Sequence, residues 1–132
     1  MKILIVEDDL VAGKILGQVM SRYGACSVAG NGQVALDRFI DAHESNCPYD
    51  LILMDIMMPE VDALEAASLI REKETGMNIP LPQRVKIIIT TALGDPRTVM
   101  KALYDYEANS YLRKPFMRQS LEHEMKKLGL IS

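Results

Sequence analysis

The sequence predicts an α/β fold in which five parallel strands and five helices alternate, giving a doubly wound sheet covered on both faces. Apolar residues run without alternation through 3–6, 51–54 and, apart from Lys86, 85–89, which is typical of strands buried on both sides of a parallel sheet. Segments with helical spacing of apolar residues separate these runs, and charged or hydroxyl residues follow them directly. Such alternation requires right-handed crossovers between parallel strands.

The five predicted strands differ in how clearly the sequence marks them. The first and third are continuous apolar runs, whereas the second is short and weaker. Pro59 makes extension of the third strand unlikely, and Lys114-Pro115 ends the fifth, because proline cannot donate to a sheet ladder. The predicted strands are, in order, 2–6, about 25–29, 51–54, 85–89 and 110–112.

Each helix is predicted from apolar residues that recur on one face. Gly24, Gly76 and Gly129 are plausible helix ends, and Asp95-Pro96 is typical of a helix start. The residues predicted to form the inner faces are, helix by helix, Leu10, Val11, Ile15, Leu16, Val19 and Met20; Val34, Ala35, Leu36, Phe39 and Ile40; Leu64, Ala67, Leu69 and Ile70; Val99, Met100, Leu103 and Tyr104; and Leu121, Met125 and Leu128.

Length and charge exclude several classes of protein. With 132 residues, the chain is expected to form a single domain over 1–132. A net charge of -3 argues against nucleic acid as the main partner, since there is no basic field to neutralise phosphates. The first apolar run is too short for a signal peptide or a membrane span. We therefore expect a cytoplasmic protein with no membrane partner.

The chain contains two cysteines, Cys26 and Cys47. They could pair in principle, but without a signal peptide we interpret both as reduced thiols. Neither His43 nor His123 makes a recognisable metal-ligand spacing with them. The cysteines are therefore predicted to be structural.

Polar groups follow four of the predicted strands. Glu7-Asp8-Asp9, Asp55, Thr90-Thr91 and Lys114 would meet at the carboxyl edge of a parallel sheet, where ligands bind in open α/β folds. Clustered carboxylates repel one another unless a cation lies between them, and their oxygen ligands suit Mg²⁺. Together with a hydroxyl and an ammonium group they suit a phosphoryl group. Asp55 is then the predicted nucleophile, forming an acyl phosphate.

These residues lie in four motifs whose order resembles the receiver domains of response regulators, of the CheY-like kind found in two-component signalling. The resemblance covers the whole chain and implies the strand order 2-1-3-4-5. Each motif alone is weakly specific, but all four in this order are highly specific. The motifs are ILIVEDD at 3–9, DLILMDIMMP at 50–59, TTA at 90–92 and YLRKPF at 111–116.

The resemblance implies a role for each matching residue. Asp55 would be the phosphoacceptor, and Asp9 falls one place beyond the acidic pair and helps to begin the helix. The implied magnesium ligands are Asp8 directly, Glu7 through water, Asp55, and the backbone carbonyl of Met57. The other implied roles are the switch hydroxyl, Thr91; the phosphate-binding lysine, Lys114; a cis peptide, Lys114-Pro115; and the aromatic switch, Tyr111.

Three positions depart from the family pattern. Ala63 replaces the usual glycine eight residues after Asp55, which affects the loop that follows Pro59. Glu107 replaces the frequent glycine before the last strand, and Ser110 replaces an acid that often precedes the switch aromatic. The loops at 43–48 and 76–84 are several residues long. None of these departures removes a catalytic group.

The resemblance predicts a phosphorelay response regulator rather than a classical enzyme, catalysing only its own phosphorylation and dephosphorylation. A histidine kinase or histidine phosphotransfer protein would donate the phosphoryl group in a Mg²⁺-dependent reaction. A downstream protein target would bind the fourth helix, last strand and last helix. The chain could be a single-domain regulator or a receiver excised from a longer protein.

Three alternatives differ in class. A degenerate receiver would bind partners without being phosphorylated. A phosphohydrolase would need a second carboxylate two residues after Asp55, where Met57 stands instead. A flavin-binding module would need a glycine- and hydroxyl-rich phosphate loop after the first strand, which the sequence lacks.

Overall fold

The computed structural model describes residues 1–56, 61–92 and 96–132. Five strands and five helices alternate along these residues, and a short 3₁₀ turn at Leu81–Gln83 interrupts the connection after the third helix. The elements are β1 (Lys2–Val6), α1 (Leu10–Met20), β2 (Ala25–Ala29), α2 (Gly32–Glu44), β3 (Leu51–Ile56), α3 (Val61–Gly76), β4 (Lys86–Thr91), α4 (Pro96–Tyr104), β5 (Ser110–Arg113) and α5 (Arg118–Lys127).

The strands form one parallel sheet in the order β2-β1-β3-β4-β5. This is the predicted order, with β1 and β3 in the middle of the sheet. Their side chains at 3–5 and 51–54 are almost completely buried, which explains why both strands are apolar without alternation. All strands run the same way, so their carboxyl ends lie along one edge.

The helices pack on the two faces of the sheet and form two apolar cores. One core lies between the sheet and α2, α3 and α4, and it contains Phe39, Ile70 and Ala102. The other lies between the sheet and α1 and α5, centred on Met20, Leu121 and Met125. Strand residues alternate between these cores, so the parity of a position indicates which face its side chain takes.

The predicted inner face of α1 is wrong in part. Leu10, Val11, Ile15 and Val19 are exposed, with 71%, 67%, 57% and 38% of their surface accessible. Met20 is completely buried and Leu16 packs against the core, as predicted, but the helix also turns Gly13 inward. A Cβ atom at Gly13 would lie only 3.0 Å from a methyl group of Val28, so glycine permits a close approach that the apolar spacing did not reveal.

The predicted inner faces of α3 and α4 are wrong in part. Ala67 and Ile70 are buried as predicted, but Leu69 is 41% exposed. On α4 Ala102 is fully buried and Leu103 packs against the core as predicted, whereas Met100 and Tyr104 are 51% and 72% exposed. A small inward residue lets a helix lie close to the sheet and leaves larger apolar side chains outside.

The predicted helix signals are confirmed in part. Asp9 caps α1 with a side-chain oxygen, and Pro96 is the first residue of α4, but α1 ends at Met20 with Ser21 as its C-cap and not at Gly24. Asn31, which was not predicted as a cap, caps α2. Gly129 has φ +75° just after α5, a left-handed backbone that glycine adopts without strain. The predicted cap Asp95 lies outside the described residues, and the predicted core residues Leu64 and Val99 are described in their backbone alone.

Two further sequence expectations can be compared with the structure. Cys26 is half-buried and Cys47 is exposed, and both are free thiols. Within the described ranges, no helix has both the length and the apolar character that a membrane span requires.

Candidate functional site

The carboxyl edge of the sheet brings together side chains from β1, β3 and β5. Glu7 directly follows β1, Asp55 lies near the end of β3, and Lys114 directly follows β5. Ile5, Leu53 and Leu112 each stand two residues earlier and pack in the core under α1 and α5. By this alternation all three functional side chains point to the same face of the sheet.

Lys114 joins the two buried carboxylates. Its Nζ lies 3.0 Å from Oδ1 of Asp55 and 3.2 Å from Oε2 of Glu7. Glu7 is only 2% exposed and Asp55 9%. Buried carboxylates need such a cation because removing their charge from water is costly.

Burial and these neighbours shift two pKa values. The pKa of Glu7 is raised, first by burial and then by its interaction with Asp55. Burial opposes the charge of Lys114, but the carboxylates of Asp55 and Glu7 outweigh it and raise the pKa of the amine. Lys114 is therefore held as a cation between the carboxylates of Glu7 and Asp55, both of which it contacts.

The same acids form a cluster that fits a metal ion. One carboxylate oxygen each from Glu7, Asp8 and Asp55 lie within 4.8 Å of one another. Asp8 is exposed and faces solvent, and Oδ2 of Asp55 is buried without a hydrogen-bond partner among the described residues. Oxygen-only donors open to water on one side suit Mg²⁺, which keeps several of its waters.

Asp9 has a structural role, as predicted. Its side chain accepts hydrogen bonds from the N–H groups of Val11 at 2.9 Å and Ala12 at 3.3 Å. Its own N–H donates to Oε1 of Glu7 at 3.2 Å. Asp9 therefore starts α1 and orients Glu7, while the pair Glu7 and Asp8 remains for the cluster.

Thr91 ends β4 beside the site. It lies opposite Ile56 of β3 and is 1% exposed, and its carbonyl accepts the N–H of Lys114 at 2.7 Å. Strand alternation places the side chain of Thr91 on the same sheet face as that of Ile89. Tyr111 of β5 stands opposite Ile89 in the register, so its side chain is on that face too. The predicted switch residues therefore share one face, and Tyr111 is 44% exposed.

Thr90 stands directly opposite Asp55 in the sheet register. It is 1% exposed, and its hydroxyl has no hydrogen-bond partner among the described residues. The sequence pattern favoured Thr91 over Thr90, and the structure adds Thr90 as an unsatisfied hydroxyl on the side of Asp55. The sequence signal was the period of two along β4. Thr90 stands two residues after Ile88, and Ile88 packs in the same core as Leu53, which precedes Asp55 by two residues.

The remaining site predictions have different outcomes. The peptide Lys114-Pro115 is cis, as predicted. Met57 lies outside the described residues, so the expected contribution of its carbonyl stays a prediction. Ala63 lies in the first turn of α3, whereas the loop before it is outside the description.

Sequence reasoning missed a buried ion pair at the other end of the sheet. Arg71 Nη1 lies 2.7 Å from Oε1 of Glu74, and the two residues are 7% and 0% exposed. The available signal was a pair of opposite charges three residues apart, beginning directly after the buried Ile70. Such pairs are usually exposed, which is why the sequence alone did not single this one out.

Comparison with known proteins supports the family resemblance that the sequence motifs indicate. The family model described as response regulator receiver domain matches residues 3–126. A probable histidine kinase 2 from Oryza sativa subsp. indica is 35% identical over 131 residues, which cover 92% of this chain and 12% of the kinase. The chain thus spans only a small part of that relative.

Two solved structures share the fold over nearly the whole chain. TrrA of Thermotoga maritima, a response regulator in complex with Mg²⁺-BeF, has a TM-score of 0.73 at 30% identity and covers 96% of this chain and 97% of its own. A co-crystal structure of the Saccharomyces cerevisiae phosphotransfer protein Ypd1 with the receiver domain of Ssk1 has a TM-score of 0.77 at 29% identity, covering 98% and 88%. Because the family model matches most of the chain and the strand order and clustered acids agree with it, this chain belongs to the response regulator receiver domain family, a family of signalling domains.

Proposed function

We propose that this protein accepts a phosphoryl group on Asp55 from the phosphohistidine of a histidine kinase or histidine phosphotransfer protein. The observation that carries the proposal is the state of the Asp55 carboxylate. Its Oδ2 is buried without a hydrogen-bond donor among the described residues, and the ammonium group of Lys114 stands 3.0 Å from its Oδ1. A nucleophile needs free lone pairs and a nearby cation to neutralise the incoming charge.

In the proposed reaction an oxygen of Asp55 attacks phosphorus, and an oxygen–phosphorus bond forms. The phosphorus–nitrogen bond of the phosphohistidine breaks, and the imidazole leaves with the electron pair and takes up a proton. Lys114 and Mg²⁺ held by Glu7, Asp8 and Asp55 would neutralise the phosphoryl oxygens. Water later hydrolyses the acyl phosphate, which returns the carboxylate and releases phosphate.

The proposed readout is a change on the face formed by α4, β5 and α5. Thr91 would donate to the phosphoryl group, and Tyr111 would turn inward, biasing that face between two arrangements. Met100, Tyr104 and Tyr111 are exposed there, and a protein target could bury them. Aromatic residues and methionine are enriched in protein–protein interfaces.

Three expectations from the sequence stay predictions within this proposal. They are the cytoplasmic location, a single domain over 1–132, and catalysis limited to the protein's own phosphorylation and dephosphorylation. The alternative of a degenerate receiver is not favoured, because Glu7, Asp8, Asp55, Thr91 and Lys114 are all present where the family pattern requires them.

The proposal is tested by intact-mass spectrometry after incubation with acetyl phosphate, with and without Mg²⁺. The expected result is one phosphoryl adduct that requires Mg²⁺ and is lost in Asp55→Asn. Asp41→Asn is the matched control, because Asp41 is an exposed carboxylate on α2. It should be labelled like the wild type.

Two outcomes would contradict the proposal. Labelling of Asp55→Asn at the same position and rate would exclude Asp55 as the acceptor. Absence of any adduct on the wild type, under conditions that label a receiver of known activity, would favour the degenerate receiver.

A further inference from the structure

The guanidinium of Arg71 uses every one of its N–H donors inside the protein. An arginine side chain carries five such donors in a rigid fork. Arg71 is 7% exposed, so water does not compete with these contacts. The acceptors are the carbonyl of Glu107, from Nε at 3.1 Å and Nη2 at 3.0 Å; Oδ1 of Asn109, from Nη2 at 2.9 Å; the carbonyl of Val85, from Nη1 at 2.8 Å; and Oε1 of Glu74, from Nη1 at 2.7 Å.

These contacts join α3 to the segments that lead into β4 and β5. Glu74 also accepts the N–H of Val85 at 2.8 Å. Asn109 is fixed twice more, because its side chain accepts the N–H of Ile87 at 2.8 Å and its own N–H donates to the carbonyl of Ile87 at 2.8 Å. The residues just before β5 are therefore tied to α3 and to β4 together.

Strand β5 needs such an anchor more than the other strands do. It has four residues and pairs, among the described elements, with β4 alone. Main-chain bonds in a ladder repeat every second residue, so they do not by themselves select one register of a short edge strand. A shift by two residues would move the strand by roughly 6.6 Å.

The far end of β5 carries Lys114. The N–H of this residue donates to Thr91 at 2.7 Å, and its Nζ lies 3.0 Å from Asp55. A displacement of several ångströms along β4 would break both contacts. The position of the catalytic ammonium group thus depends on where β5 lies.

We propose that Arg71 is a positioning residue for the phosphoryl site, which by holding Glu107 and Asn109 sets where β5 lies along β4 and hence where Lys114 stands beside Asp55. Its effect on phosphorylation rests on the function proposed above. Its effect on Lys114 does not, because that contact exists in the unphosphorylated protein.

The test variant is the double substitution Arg71→Met with Glu74→Gln. Met fills the space of the arginine stem without its donors, and Gln can still accept the N–H of Val85 without leaving a buried charge unpaired. Glu74→Gln alone is the matched control, because it removes the counter-charge of the buried guanidinium while Arg71 keeps its contacts to Glu107 and Asn109. Ile70→Ala, a fully buried neighbour on α3, controls for general loss of stability, measured by urea denaturation.

Three readouts separate positioning from stability. In the double variant, amide hydrogen exchange at 109–113 should become at least about tenfold faster as this segment opens locally. Acetylation of Lys114 by acetic anhydride, followed by peptide mass spectrometry, should increase as its amine leaves the carboxylates. Mg²⁺-dependent labelling of Asp55 by acetyl phosphate should slow roughly ten- to a hundredfold, the scale expected for misplacement of a catalytic group.

The proposal is overturned if Lys114 acetylation and exchange at 109–113 in the double variant match those of Ile70→Ala at comparable stability. If the double variant does not fold, Asn109→Ala serves in its place, since at an exposed residue it removes one Arg71 contact together with the side-chain acceptor of the Ile87 N–H. If Lys114 responds as expected but the wild type is never labelled, positioning stands and the proposed phosphorylation fails.

Discussion

At the scale of single residues, Glu107 is a residue type that does not suit the backbone conformation at its position. It adopts φ +56° just before β5, in the left-handed region that costs a non-glycine residue roughly 1–2 kcal/mol. Arg71 donates twice to its carbonyl, which holds the backbone in place. The family's frequent glycine at this position therefore has a conformational reason.

Glu107→Gly is expected to raise the free energy of unfolding by about 0.5–1 kcal/mol, because glycine adopts this φ without strain while losing more chain entropy on folding. Urea denaturation measures the change. Asn78→Gly is the matched control, since Asn78 has φ +57° but asparagine tolerates that region better. An equal or smaller gain at Glu107 than at Asn78 would contradict the interpretation.

Glu7 leads to a prediction about pH. Its folded-state pKa is raised above 4.5, first by burial, so the folded protein binds this proton more tightly than the unfolded chain. The contribution of Glu7 to stability is therefore present below that value and falls as pH rises through the folded pKa. The raised pKa of Lys114 acts only above its ordinary value of 10.5, outside this window.

We expect Glu7→Gln to flatten the decline of unfolding free energy that begins near the ordinary pKa of 4.5 and continues as pH rises. Mg²⁺ should reduce the decline in the wild type, because a cation favours the charged carboxylates. Urea denaturation across this range, with and without Mg²⁺, measures both effects. An unchanged pH profile in Glu7→Gln would show that burial of Glu7 does not control it.

At the scale of secondary-structure elements, α1 is the clearest case in which spacing alone misled. The residues predicted to form one inner face divide in the structure into two stripes, an exposed one with Leu10, Val11, Ile15 and Val19 and an inward one with Leu16 and Met20. Close packing on β2 also turns the small residue Gly13 inward. The exposed stripe is therefore not needed for the core.

The two stripes are expected to respond very differently to truncation. Met20→Ala should lower the free energy of unfolding by about 2–5 kcal/mol, because Met20 is completely buried. Ile15→Ala, at a residue that is 57% exposed, should cost less than about 1 kcal/mol. Urea denaturation of both variants decides the matter, and similar losses would mean that α1 packs as the sequence pattern predicted.

At the scale of the whole molecule, the sheet connects the acidic edge with a distant surface. Thr91 contacts Lys114 through its backbone, and its side chain shares a sheet face with Tyr111. A change at Asp55 can therefore reach the face of α4, β5 and α5 through two adjacent strands. This is a short path through packed elements.

If that path operates, phosphorylation should bury the ring of Tyr111, which is 44% exposed without it. Labelling the tyrosines with 3-fluorotyrosine and recording ¹⁹F NMR before and after acetyl phosphate measures this, with Tyr111→Phe identifying the signal. Tyr49 is 6% exposed near the opposite edge of the sheet and serves as the reference that should not move. A Tyr111 signal that stays solvent-accessible in the phosphorylated protein would exclude this switch.

The sequence by itself determined the sheet and the identity of the acidic site. Buried strands must be apolar on both faces, so 3–6 and 51–54 were visible as strands, and parallel strands must end at one edge, so Glu7, Asp55 and Lys114 had to converge. Both constraints determine which residue types follow one another along the chain, so they are visible in the sequence as apolar runs ended by polar residues.

Tertiary structure decided the features that depend on contacts between distant segments. The inward face of α1 depends on how closely Gly13 approaches Val28, and the pairing of Arg71 with Glu107 and Asn109 joins residues more than thirty positions apart. Packing distance and long-range hydrogen bonds leave no periodic signal in the sequence, so only the folded chain could reveal them.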